Sequence, residues 1–172
     1  MHQGAGSHRP RRLQNRIAIV AAGKIKLRHQ IMRGLTMGAI PGIEFNTFSI
    51  IARCSRTGML GIAITTSDIT VGSRCPFVAP SVGAITTQAS TDPSLGPFAL
   101  RLLGLGYSAR GALQQLEASD PHIERRQLGI VDHNGNAAAR TGAMNNRWAG
   151  HITGKDHVTM GNGLVGEGGV KE

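Results

Sequence analysis

The run Thr47 to Ser67, TFSIIARCSRTGMLGIAITTS, constrains the fold of this chain more than any other stretch. Phe48, Ile50, Ala52 and Cys54 alternate with Thr47, Ser49, Ile51 and Arg53. That period of two places successive side chains on opposite faces of a sheet. SRTG follows as a turn in which Gly58 can take a positive φ, and MLGIAITTS returns as a second strand. The hairpin reads as the opening of a folded domain, yet residues 1 to 46 precede it.

The 172 residues are enough for one ordinary domain with a real core and too few for two comfortable ones. Aromatic residues make up only 3% of the chain while glycine occurs 24 times, so the core must come from Ile, Val, Leu and Ala linked by tight turns. Sheets suit that composition better than a long helical bundle.

The formal charge of +9 is unevenly spread. Residues 1–46 carry eight Lys/Arg against the single acid Glu44, whereas the remaining residues are nearly balanced. A basic leader can hold phosphate backbones non-specifically, but no motif reads bases, so no specific nucleic-acid partner is expected. Within the leader, Leu13, Ile17, Val20, Leu27, Ile31 and Leu35 can share one helical face. A membrane-surface helix, an organelle transit segment and sequence upstream of the true start are all compatible with this pattern. The abrupt charge break at PGIEFN favours a leader that is removable or not native, followed by a domain over residues 47–172.

Cys54 and Cys75 make neither a disulfide framework nor a zinc spacing. No run of about eighteen apolar residues exists, so no transmembrane segment is expected. IAIVAAG is too short for a secretory core and runs into Lys24. A cytoplasmic location is the default.

Beyond the hairpin, SDITVGSRCPFVAPS reads as a loop broken by Pro76 and Pro80, and VGAITTQAS as a third strand. Ser94 and Ser108 can cap two helices separated by Gly104 and Gly106, the second ending near Asp120 and Pro121. Leu100, Leu103, Leu113 and Leu116 would then face a sheet. Asn134-Gly135, between strand-like runs, is the preferred type I′ hairpin turn. WAGHITGKDHVTMGNGLVGE holds one more short strand.

The segments TFSIIARCSRTGMLGIAITTS, VGSRCPFVAPSVGAITTQASTDPSLG, LGLGYSARGALQQL, RQLGIVDHNGNAAARTG and WAGHITG with GNGLVG occur in the order seen in one bacterial family. The chain resembles domain-of-unknown-function family one thousand and twenty-eight, whose members have the N-terminal nucleophile (Ntn) hydrolase fold. The resemblance covers about residues 46–166. It implies an α+β, Ntn-hydrolase-like αββα sandwich, here incomplete at the C-terminal end and therefore expected to self-associate as a homo-oligomer. Relatives begin Met-Thr-Phe-Ser-Ile or similar, so Thr47 occupies the place of a threonine that becomes N-terminal once Met is removed.

An N-terminal threonine is a compact catalytic device. Its α-amine, with an ordinary pKa of about 7.7–8.0, can take the hydroxyl proton while the oxygen attacks an amide carbonyl. Neither metal nor cofactor is needed. Inside a peptide bond the same nitrogen is not basic, so the leader must be absent or cleaved at Asn46-Thr47. The resemblance thus implies an amide-bond hydrolase acting on a small-molecule or peptide amide. The alternatives are a non-catalytic binding or assembly module on the same scaffold, and a domain tethered to anionic membrane or nucleic acid by its leader.

Supporting residues are chosen by position. Arg74 can keep the amine neutral and stabilise an oxyanion, or be a surface arginine. Asn162, between Gly161 and Gly163, can donate to an oxyanion or serve a turn. Ser67 and Asp68 at the end of the second strand, and Gln88, Thr91 and Asp92 after the third, are candidate substrate-binding residues. Asp92, before Pro93, can equally shape the helix start. His151 and His157 have a pair spacing seen in zinc sites but lack accompanying cysteines, so no metal is expected. Gly-x-Gly in LGLGYSARG lacks the third glycine of a dinucleotide loop, and no phosphate loop, Ser-x-x-Lys or Gly-x-Ser-x-Gly occurs.

Overall fold

The computed structural model of the protein describes residues 18–22, 46–66, 68–146 and 148–171. Two sheets organise it. The first contains β1 (Ala18–Ala22), β2 (Thr47–Arg53), β3 (Leu60–Thr66), β8 (Gly150–Gly154) and β9 (His157–Asn162), in spatial order β1-β3-β2-β9-β8. The second contains β4 (Pro76–Ala79), β5 (Gly83–Ala89), β6 (Arg126–Asp132) and β7 (Ala137–Thr141), adjacent in chain order. Every pairing is antiparallel except that of β1 with β3. The helices are α1 (Val71–Arg74), α2 (Leu95–Gly104), α3 (Ala109–Ser119) and α4 (Gly168–Lys171), with a 3-10 turn at Ile123–Arg125. None is long and apolar enough to cross a membrane among the described residues.

Alternation decides the layers. Ile51, Ile62, Ile64, Val158 and Met160 on the first sheet meet Ala84 and Val131 on the second, forming the core between the sheets. The opposite face of the second sheet presents Ile85, Leu128, Ile130 and Ala138 to Leu102, Leu103, Leu113 and Leu116 of α2 and α3. β5 and β6 are thus covered on both faces. Each fully buried Leu or Ile contributes about 1.5–3 kcal/mol relative to exposure, so these two layers hold the chain together. Leu100, expected to face the sheet, is half-buried against the helical side of this core. On the outer face of the first sheet, α4 packs over β8 and β9, with Thr159 Oγ1 donating to Val170 O at 3.2 Å. The fold is α+β, two sheets face to face with the longer helices against one of them.

The expected β2–β3 hairpin forms, and its register sets Thr47 opposite Thr66 and Arg53 opposite Leu60. Gly58 takes φ 71° in the turn. Ser108 caps α3 by accepting from Gly111 N at 3.1 Å. Ser94 precedes α2, but its side chain caps nothing; Asp92 Oδ1 instead accepts from Ser94 N and Ser94 Oγ.

Four local readings are corrected. Ala18–Ala22, which includes Val20 of the expected helical face, is a strand beside β3; the rest of residues 1–45 lies outside the described residues. The stretch 68–80 contains α1 and the edge strand β4, because Pro76 stands at the strand's first residue and Pro80 beyond its last, where a missing N–H costs no ladder bond. The end of the chain holds two strands, β8 and β9, joined by a turn with Asp156 at φ 67°. At Asn134-Gly135 only the glycine has a positive φ, of 78°, and Gly135 N donates to Asp132 O while Asp132 N donates to Asn136 O. That is a type I turn closed by a glycine bulge, not type I′. The Asp132 carboxylate selects it by accepting from Asn134 N and Asn136 N, each at 2.9 Å.

Candidate functional site

At one end of the sandwich the filling between the sheets turns from apolar to polar. Continuing along the inner face from Ile51 toward that end, β2 presents Ser49 and then Thr47. β5 and β6 present Gln88 and Gln127, which are register partners, and β9 presents Asn162, register partner of Thr47. Ser49, Gln88 and Gln127 are at most 1% exposed. Amides buried this deeply are costly unless they are paired.

They are paired in one direction. Gln127 Nε2 faces only atoms able to accept: Gly150 O at 3.0 Å, Gly161 O at 2.9 Å and Thr141 Oγ1 at 2.9 Å. Carbonyls cannot donate, so the amide is fixed with Oε1 pointing the other way. Oε1 accepts from Gln88 Nε2 at 2.7 Å and Asn162 Nδ2 at 3.0 Å. Gln88 Oε1 in turn accepts from Ser49 Oγ. The chain of bonds joins both sheets across the core and sets the side-chain orientations next to Thr47.

Thr47 lies at the head of β2, its Oγ1 3.0 Å from Thr66 Oγ1. Thr66 Oγ1 also accepts from Asp68 N at 3.2 Å. Two clefts open here. The smaller, about 40 Å³, is lined by Thr47, Thr66, Asp68, Arg74, Gln88 and Thr91 among others. The larger, about 320 Å³, is lined by Ser90, Arg125, Asn145, Asn146 and Asn162 among others, with Thr47, Thr66, Asp68 and Ala89 shared between the two. Thr47 and Thr66 therefore stand on the wall common to both spaces. Asn46 precedes Thr47 in the described chain, and in the intact polypeptide the Thr47 nitrogen is an amide.

Of the residues singled out from sequence, Thr47, Arg74, Asp68, Gln88, Thr91 and Asn162 come together around these clefts. Arg74 Nη1 pairs with Asp68 Oδ2 at 3.7 Å, and both side chains are largely exposed. Asn162 commits one amide hydrogen to Gln127. Thr91 Oγ1 stands 3.7 Å from Cys75 Sγ, whose thiol burial pushes up. Asp92 is not among the residues lining either cleft: its Oδ1 holds Ser94 and its Oδ2 lies 3.8 Å from Arg126 Nη2. The bonds to Ser94 lead in holding its carboxyl below the usual range. Ser67 lies outside the described residues.

Thr66, Ser49 and Gln127 escaped the sequence reading. A signal existed for Gln127, a polar residue within the otherwise apolar run of β6, whereas Ser49 shares its face with Thr47 and Arg53 and so gave none. His151 and His157 do not share a ligand set: His151 Nδ1 lies 2.8 Å from Thr141 Oγ1 and His157 Nδ1 3.1 Å from Lys155 O. No group of three or more metal-ligating side chains occurs among the described residues.

A family of unknown function, DUF1028, matches residues 47–172. The chain belongs to that family. It is similar to a DUF1028 protein from Silicibacter pomeroyi known from a crystal structure, with a TM-score of 0.68 and 31% identity over 71% of this chain. The similar region spans 57% of the Silicibacter pomeroyi protein, so the chain covers a little over half of that relative's length. No curated protein matches the chain.

Proposed function

We propose that this protein is an Ntn-type amide-bond hydrolase in which Thr47 is the nucleophile once it is the first residue of its chain. The observation that carries the reading is the position of Thr47: it opens β2, its hydroxyl lies on the wall shared by two clefts, and the family match begins at this residue. Two facing sheets with helices packed outside are in keeping with an Ntn sandwich.

In this mechanism the Thr47 α-amine removes the proton from Oγ1 as the oxygen attacks the substrate carbonyl carbon. The tetrahedral oxyanion takes a hydrogen bond from the second amide hydrogen of Asn162. The C–N bond then breaks, the proton held by the amine passes to the leaving nitrogen, and water hydrolyses the acyl ester to restore the threonine. The Arg74 charge near the amine favours its neutral, basic form. Thr66, 3.0 Å from the nucleophile, orients its hydroxyl.

The test exposes Thr47 after folding. A full chain carrying a site-specific protease sequence immediately before Thr47 is purified, cut, and screened against amide substrates beside its Thr47→Ala counterpart. Hydrolysis that appears only on cutting and only with Thr47 supports the reading. Thr47-dependent hydrolysis by a chain shown intact by mass spectrometry would sink the amine-as-base mechanism. No hydrolysis in either form favours the second reading, a binding module on the same scaffold, to which the amide nitrogen of Thr47 in the intact chain points.

A further inference from the structure

Two consecutive arginines near the larger cleft are used in opposite ways. Arg126 is tied down: its Nε donates to Asp120 Oδ2 at 2.8 Å, its Nη2 lies 3.8 Å from Asp92 Oδ2, and its Nη1 donates to Ser90 O. Its side chain is only 11% exposed. Arg125 has its backbone anchored on both sides, its N donating to His122 O at 2.9 Å and its O accepting from Ser90 N at 3.2 Å. Its guanidinium has no acidic partner among the described residues, and Arg125, an exposed residue, is among those lining the cleft of about 320 Å³ beside Thr47. The other charged group on that wall, Asp68, already faces Arg74. Everything else polar in the lining is neutral: Thr47, Thr66, Ser90, Asn145, Asn146 and Asn162.

From this arrangement we infer that the cleft takes a small amide bearing a carboxylate, with Arg125 binding the carboxylate and the neutral amides and hydroxyls meeting the rest. A guanidinium fork matches a carboxylate bidentately, and a backbone pinned at both its N–H and its C=O keeps its base in place. The cleft volume lies at the small end of the range for ligand sites, which excludes a long peptide fully enclosed. Neutral amide neighbours neither compete for the guanidinium nor repel the anion. The inference rests on the cleft named in the proposed function and extends it to a substrate class and a specificity residue.

The test measures binding, so it is independent of turnover. Full-length Thr47→Ala protein is titrated with N-acetylalanine and with its neutral counterpart N-acetylalaninamide, followed by NMR chemical-shift changes. The expected result is that the acid binds on the order of tenfold more tightly than the amide. Arg125→Gln should abolish that preference, Arg125→Lys should retain part of it, and Arg110→Gln, an exposed arginine on α3, should leave it unchanged. Equal affinities for the two probes, absence of binding by both, or a preference that survives Arg125→Gln would each overturn the inference. A carboxylate preference without any hydrolysis by the cut chain leaves the inference standing and removes the hydrolase. Hydrolysis without the preference does the reverse.

Discussion

The hydroxyls of Thr47 and Thr66 stand 3.0 Å apart on register-paired strands, on the one stretch of wall that borders both clefts. Because Thr66 Oγ1 already accepts from Asp68 N, it is held as a fixed partner for Thr47. In protein whose Thr47 has been exposed, Thr66→Val should lower amide hydrolysis by about 10- to 100-fold while Thr66→Ser stays near the parent. Steady-state kinetics decide it, and equal rates for Val and Ser variants would remove Thr66 from the mechanism.

Gln127 is the junction of the buried polar chain. Gln127→Leu would strand the amide hydrogens of Gln88 and Asn162 and the carbonyls of Gly150 and Gly161 without their partner. Chemical denaturation should show a loss of about 2–4 kcal/mol, against less than about 0.5 kcal/mol for the exposed Arg110→Gln. A Leu variant as stable as the parent would show that these bonds are dispensable to the fold.

Asp132 gives the fold an acid sensitivity. Burial pushes its carboxyl up, but hydrogen bonds from the Asn136 side chain and from the backbone of Asn136, Ala109 and Asn134 outweigh burial and hold it below the ordinary range. The unfolded chain has the higher pKa, near 3.9, so this stabilisation is complete above that value and is lost as pH falls through the folded-state pKa. Thermal unfolding between pH 7 and pH 3 should show a drop that Asp132→Asn, less stable at neutral pH by about 1–3 kcal/mol, reduces. Parallel pH curves for the two proteins would contradict this.

The two thiols should separate kinetically. Cys54 is half-buried, and hydrogen bonds from Thr57 and Arg56 lower its pKa, whereas burial raises that of Cys75. A thiol reagent at neutral pH should modify Cys54 faster than Cys75, by about tenfold or more, because the Cys54 thiolate is the more accessible and the more populated. Peptide mapping after timed quenching reads the order directly.

Short-range chemistry accounts for what is legible in the sequence. The alternation around Phe48 and Ile51 produced β2 and β3, Ser108 capped α3, and the leucines of α2 and α3 found a sheet, because period and capping act within a few residues. The stretch 68–80 was harder, since Pro76 looks like a breaker until it is seen at the end of an edge strand. Asn134-Gly135 marked a hairpin correctly but not its geometry, which the nearby Asp132 carboxylate chose.

The sequence by itself determined which residues of a strand share a face, and through the order of its motifs it placed Thr47 at the head of the domain; on β2 the buried face proved to be that of Ser49 and Ile51, not the more apolar set of Phe48, Ile50 and Ala52. Only the tertiary structure decided which inward residues meet. Ser49 and Gln88 are 39 residues apart and Gln127 and Asn162 are 35 apart, yet they share one buried chain of bonds. Arg125 and Arg126 look alike as neighbours in the sequence, and only the positions of Asp120 and Asp92 show that Arg126 is bound into the fold, while Arg125 stays exposed in the lining of the larger cleft. Periodicity fixes a side chain's face; the packing of one sheet on another fixes its partner.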